Sequence, residues 1–194
     1  MMTLHLIMHR LMAVAVFVLM VAGLARADQG EGRYDAELEQ LFADLAVAES
    51  ADRSQDIIQE IWAYWLIDTD DSKNIRMMRN GIGFMEIMDL PNAESIFTRI
   101  IARDENFTEA WNKRATIRYM RGDFDGSESD IAEVLKREPR HFGALSGLAM
   151  INMKRGDLET ALAIYESILL IHPNSLDAQK LIPELQKTLR GDPA

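Results

Sequence analysis

Two aspartate-rich stretches and two histidines are the first residues of this chain whose types and spacing could do chemistry. DTDDSKN, residues 68–74, opens with oxygen donors at Asp68, Asp70 and Ser72, the alternation that begins a calcium-binding loop. Such a loop needs glycine at its sixth place, for the turn, and a bidentate glutamate at its twelfth. Those places hold Lys73 and Arg79. DFDGSESD, residues 123–130, has its glycine at the fourth place and Val134 at the twelfth. Both fail the test, and they read instead as a solvated loop and a helix start. His141 and His172 stand beside Pro139 and Pro173, not four residues apart on one helix face, so the helical zinc pattern is missing. No G-x-S-x-G, phosphate loop or dinucleotide fingerprint occurs. The residues therefore assign no catalytic group, no metal and no cofactor, and the chain reads as non-enzymatic.

A third motif asks for a different explanation. Arg-Gly-Asp occurs at residues 121–123, 155–157 and 190–192, with the first two copies 34 residues apart and the third 35 further on. A loop displayed to an adhesion receptor does not require such spacing. Punctuation between helices does. Glycine enters the left-handed region without a steric penalty and ends one helix, the preceding arginine faces the negative end of that helix, and the aspartate caps the next.

The elements that carry these motifs lie beyond a leader. A basic start (His5, His9, Arg10) runs into LMAVAVFVLMVAGL, Leu11 to Leu24, and then Ala25-Arg26-Ala27 before Asp28. That is the pattern of a cleavable secretory signal over residues 1–27. Its apolar run makes about 21 Å of helix, short of a hydrocarbon core of ~30 Å. The expected mature protein is periplasmic or secreted, with no membrane span. Two of the chain's 21 cations and none of its 31 acids fall in the leader, so the remainder carries a formal net charge of −12. That charge repels a phosphate backbone, and nucleic acid is excluded as a partner. Cysteine is absent, which removes disulfides and leaves stability to the core.

Apolar periodicity after the leader is helical throughout. Leu38, Leu41, Phe42 and Leu45 share one face of a segment from Tyr34 to Val47. Ile57, Ile58, Ile61, Trp62, Trp65 and Leu66 share one face of a second, from Gln55 to Ile67. From Asn74 the chain repeats every 34 residues. Gly81, Ala115 and Ala149 form one small set, and Ala93, Ser127 and Ala161 another. Bulky Phe97, Ile131 and Tyr165 keep the same period, as do Ile101, Leu135 and Leu169, Asp89, Asp123 and Asp157, and Pro139 with Pro173. Two helices per period of this length describe a solenoid of helical hairpins.

The segment AWNKRATIRYMRGDFDGSESDIAEVLKREP resembles a tetratricopeptide repeat, with Trp111, Ala115, Gly122, Ser127, Leu135 and Pro139 at the signature places. Residues 142–175 match through Leu145, Leu148, Ala149, Gly156, Ala161, Tyr165 and Pro173, and residues 74–107 through Gly81, Phe84, Ala93 and Phe97. The pattern departs at Met88, where glycine is usual, at Glu105, where proline is usual, and at Arg118, where an aromatic is usual. The resemblance implies an all-α, right-handed superhelical solenoid of three repeats, 74–107, 108–141 and 142–175. Residues 28–73 would be an atypical N-terminal hairpin cap, with Trp62 and Trp65 on the first helix of the first repeat. Residues 176–194 would be a capping helix and tail, kinked or broken at Pro183. Arg114, Arg118 and Arg121, at i, i+4 and i+7, would face the neighbouring hairpin and pair with its acids.

The resemblance also implies a function, binding of another protein or a peptide segment in the concave groove. The groove places are Met78, Ile82, Met85, Asn112, Lys113, Thr116, Tyr119, Met150 and Met153, with Ile75, Arg79, Glu109, Gly143, Ser146 and Gly147 beside them. Some family members clamp a peptide carboxylate with lysine, arginine and asparagine. Met78, Ile82, Gly143 and Gly147 occupy those clamp places here, so the clamp is absent. A methionine-rich strip remains, suited to varied apolar partners, with Asn112 and Lys113 as polar handles. The reading is a scaffold or adaptor of the bacterial envelope, resembling small exported repeat proteins of alphaproteobacteria. An assembly chaperone and a regulatory subunit of an envelope enzyme are the alternatives. The N-terminal hairpin or a second copy of the chain could also cover this surface.

Overall fold

Seven of the helices begin at a residue whose side chain accepts from a free N–H group of the first turn: Ser50, Asp71, Asp89, Asp123, His141, Asp157 and Ser175. A computed structural model describes residues 33–191, and in these residues there are nine helices and no strand. Helices α1 (Arg33–Ala46) and α2 (Ala51–Trp65) form an N-terminal hairpin. Three further hairpins follow: α3 (Ser72–Glu86) with α4 (Leu90–Arg103), α5 (Thr108–Met120) with α6 (Phe124–Arg137), and α7 (Phe142–Arg155) with α8 (Leu158–Ile171). A single helix, α9 (Leu176–Arg190), packs on α8. The leader and Asp192 lie outside the described residues.

The Arg-Gly-Asp triplets are punctuation. Gly122 and Gly156 have φ of +79° and +80°, and Asp123 and Asp157 accept from the N–H groups of Gly126 and Thr160 at the start of the following helices. Gly191, at +74°, ends α9 in the same way. Met88 occupies the corresponding turn of the first repeat and is forced to φ +60°, with its side chain largely exposed. A side chain in that region crowds its own backbone, so methionine is strained where glycine is not. The acidic loop at residues 68–74 is shorter than its composition suggests. Asp71 accepts from the Lys73 N–H at 2.8 Å and starts α3 at Ser72, leaving Asn74 buried inside the helix. Helix α9 runs through Pro183 without a break.

The small residues sit where two helices of one hairpin meet. A Cβ on Gly81 would lie 2.6 Å from the ring of Phe97, so nothing larger than hydrogen fits there. Ala93, Ala115, Ser127, Ala149 and Ala161 are each at most 2% exposed, as are Phe97, Ile131 and Tyr165. Ser127 Oγ donates to the Ala115 carbonyl at 2.8 Å, which ties α6 to α5 at the crossing. The arginine stripe pairs with an acid of its own hairpin as well as with one of the preceding hairpin, where its spacing implied only the neighbour. Arg114 donates two parallel hydrogen bonds of 2.8 Å to the buried carboxylate of Asp130. Arg118 reaches both Asp130, at 3.0 Å, and Glu94 of the preceding repeat, and Arg121 pairs with Glu94 as well.

The N-terminal hairpin corrects one expectation. Trp62 and Trp65 do not pack on α3. Trp65 stacks on His141 at 3.9 Å and packs against Phe142, while Trp62 meets His141 and Phe142 edge-on. Only Leu66 joins the apolar cluster of the first repeat. Helix α2 makes no substantial contact with α3, and the hairpin folds back across the third repeat instead. The flat ring of His141 and the side-chain-free Gly143 offer the two indoles a seat, whereas the apolar side of α3, centred on Met78, is already closed by Phe97 and its neighbours.

Two substitutions test this packing. Ala161→Leu should destabilise the protein by roughly 1–3 kcal/mol, because the α7–α8 crossing has no room for the added atoms; a loss within a few tenths of a kcal/mol in urea unfolding would place the crossing elsewhere. Met88→Gly should stabilise it by about 0.5–1 kcal/mol, the relief of the left-handed strain less the added freedom of the unfolded chain. An unchanged or lower unfolding midpoint would mean that the turn is not strained.

Candidate functional site: the concave face

The first helices α3, α5 and α7 line the concave face, and its centre is built around one carboxylate. Glu109, in the first turn of α5, has no exposed side-chain area. Three donors surround it: Lys113 Nζ at 2.8 Å, Asn112 Nδ2 at 3.1 Å from both oxygens, and His141 Nε2 at 3.0 Å. His141 Nδ1 accepts from the Ala144 N–H at 3.1 Å and caps α7. Since Nδ1 is an acceptor, the ring proton resides on Nε2 and points at Glu109. Burial alone would raise the Glu109 carboxyl, yet the hydrogen bond from His141 and the charge of Lys113 hold its pKa below the ordinary value. The carboxylate is therefore ionised and fully paired.

A Glu–His–Lys group has the composition of acid–base machinery, and here it is enclosed. Both Glu109 and His141 are sealed from solvent, with Trp65 lying flat on His141. The Trp62 ring lies 5.0 Å from Lys113 Nζ, within cation–π range. A Cβ on Gly143 would stand 2.7 Å from Trp62 Cη2, so the glycine at this helical position leaves room for the indole. With the hairpin docked, the carboxylate has no exposed surface. The cluster joins α5 to α7 and forms the floor on which the hairpin rests.

The nine groove residues read from the sequence therefore divide. Met78 is 1% exposed and belongs to the core with Phe97, Ile100, Phe107 and Ile117, so it offers nothing to a ligand. Asn112 is buried and spends its amide on Glu109, and Lys113 is held between Glu109 and Trp62; neither is a free polar handle. Six remain accessible. Ile82, Met85, Tyr119 and Met153 are half-buried, and Thr116 and Met150 are exposed. All six lie toward the C-terminal ends of α3, α5 and α7, the half of the face away from the two tryptophans. The sequence reading missed the linkage of Glu109 to His141. Its one available signal was His141 in the capping position before α7, where a neutral ring is needed.

Comparison with known proteins agrees with this architecture. The tetratricopeptide repeat family model matches residues 112–175. A TPR repeat-containing protein of Rhizobium etli is 34% identical over 155 residues, which cover 80% of this chain and 76% of that protein. Among solved structures, the first TPR of Spaghetti (RPAP3), bound to the HSP90 peptide SRMEEVD, superposes with a TM-score of 0.59 at 20% identity. That match covers 64% of this chain and 98% of the other. The 34-residue register, the helix pairs crossing at small residues and the extent of the Rhizobium match lead to one conclusion: this chain belongs to the tetratricopeptide-repeat family.

Proposed function

We propose that the protein is a non-enzymatic interaction module of the bacterial envelope, which binds a polypeptide segment in the open half of its concave face. The observation that carries this reading is the accessible strip of Ile82, Met85, Tyr119, Met150 and Met153 beside the sealed centre. Met150, 40% exposed, stands out from a helix whose other apolar residues are mostly covered. An apolar segment laid there gains ~25 cal/mol per Å² of apolar area covered, less the cost of ordering it. Methionine side chains adapt to several shapes of partner. The carboxylate clamp of some relatives has no counterpart, so the segment is bound by its side chains and backbone, with no need for a free C-terminus. Placement in the envelope rests on the leader sequence.

Photo-crosslinkers placed at Thr116 and at Leu170, on the convex side, test the groove in cells. Thr116 should yield one defined adduct that disappears with Met85→Asp and Met150→Asp together, while helicity is retained. Equal adducts from Leu170, or an adduct untouched by the two aspartates, would sink the reading. For the location, the periplasmic fraction should contain a protein beginning DQGEGRYD. Recovery only from membranes, with residues 1–27 still attached, would replace the exported protein with an anchored one.

A further inference from the structure

The N-terminal hairpin meets the repeats in the manner of a ligand. Its apolar side, from Phe42 and Leu45 to Ile61 and Trp65, shares one buried core with the third repeat, and polar contacts to that repeat and to the Arg140–His141 turn before it frame that core. Glu39 receives two hydrogen bonds from Arg140, at 2.9 and 2.6 Å, and the same guanidinium lies 4.0 Å from the Phe42 ring. Asn174 donates to the Ala48 carbonyl at 2.7 Å and to Ser54 Oγ at 2.9 Å. Trp62 fills the space over Gly143, and Trp65 stacks on His141.

Two features set this contact apart from the packing between repeats. First, apart from Leu66, no residue of the hairpin belongs to the apolar clusters centred on the first and second repeats; its core is that of the third repeat and α9, with Leu135 of α6 at the edge. Removing it would leave the Gly81, Ala115 and Arg114–Asp130 junctions intact. Second, the two buried polar atoms left without a hydrogen-bond partner among the described residues, Trp65 Nε1 and His172 Nε2, both belong to residues of the hairpin–third repeat region. An unsatisfied buried donor or acceptor loses free energy that solvation would return. Burial also lowers the pKa of His172.

We propose that the hairpin is an internal ligand. It fills the half of the concave face at the N-terminal ends of the first helices. When it leaves, the same surface takes an external helical hairpin, one helix of which bears two aromatic side chains three residues apart and the other a carboxylate. The uncovered surface would present Lys113, Arg140, His141 and Phe142, which match an aromatic, acidic segment and repel a basic one. This rests on the reading of the concave face as the binding surface. Its test needs no natural partner, so it can fail while the crosslinked adduct at Thr116 stands, or succeed without one.

Hydrogen exchange of the full mature chain should show residues 51–65 opening about tenfold more readily than residues 108–137. Gly143→Leu starts a side chain where Trp62 now lies and keeps a good helix former in α7. It should speed exchange of residues 51–65 by a further factor of about ten, shift tryptophan emission to the red and leave residues 108–137 unchanged. A labelled synthetic peptide of residues 36–67 should bind the full chain carrying Trp62→Ala and Trp65→Ala about tenfold more tightly than it binds the wild type, whose site is filled. One common protection factor for the two segments overturns the proposal. So does a Gly143→Leu effect that is absent or spread equally over both segments, or a peptide that binds both proteins alike or neither.

Discussion

The close crossing of two helices at a residue with little or no side chain is the constraint on which the rest of this structure depends. At Gly81 the ring of Phe97 comes so near that even a methyl group is excluded, and at Ala115, Ala149, Ala93, Ser127 and Ala161 the same approach is buried almost completely. Once each pair is locked at this distance, its first helix must face the inside of the curve and its second the outside. The Arg114–Asp130 bridge then ties the second pair together, and Arg118 and Arg121 connect it to the first through Glu94. Because Asp130 is buried, removing Arg114 would leave its carboxylate with the single contact from Arg118, a weakly compensated charge in the interior.

What the chain does with its concave face follows from that framework. The face has a sealed half and an open half, and the seal is made by the protein's own indoles. Polar residues that would serve an outside ligand in an unobstructed groove are committed to neighbours: Asn112 and Lys113 to Glu109, and Glu109 to His141. The clamp that recognises a free carboxylate in some relatives is not merely missing from this chain. Two of its places hold glycines, and one of these, Gly143, makes room for Trp62.

Periodicity made the repeats legible from residue types alone, since each signature position has a steric duty within 34 residues of its copies. The turn glycines, the aspartate caps and the arginine stripe were readable for the same reason: their partners are local or one hairpin away. Where the hairpin docks was not readable. Trp62 and Trp65 announce an apolar face, but nothing in their spacing says that the seat is His141 and Gly143, about eighty residues on, and not the adjacent α3. Met78 misled for a related reason. Its register puts it on the concave side, while the Leu66 end of α2 and the ring of Phe97 close over it. Solenoid register predicts direction, and only the tertiary path of the flanking segment decides exposure.

Repeat arrays ordinarily join each element to its immediate neighbours, and they fold by nucleating anywhere and growing outward. The contacts of Glu39 with Arg140 and of Ala48 with Asn174 span 101 and 126 residues and break that rule. Synthesis delivers the hairpin first, yet its aromatic seat exists only after the third repeat has emerged. Through that interval Phe42, Trp62 and Trp65 have no native surface to cover them, and closing the ring must await the last quarter of the chain. The protein thus carries a local, fast-folding middle and a slow, long-range final step, with its most adhesive residues the earliest made and the last protected.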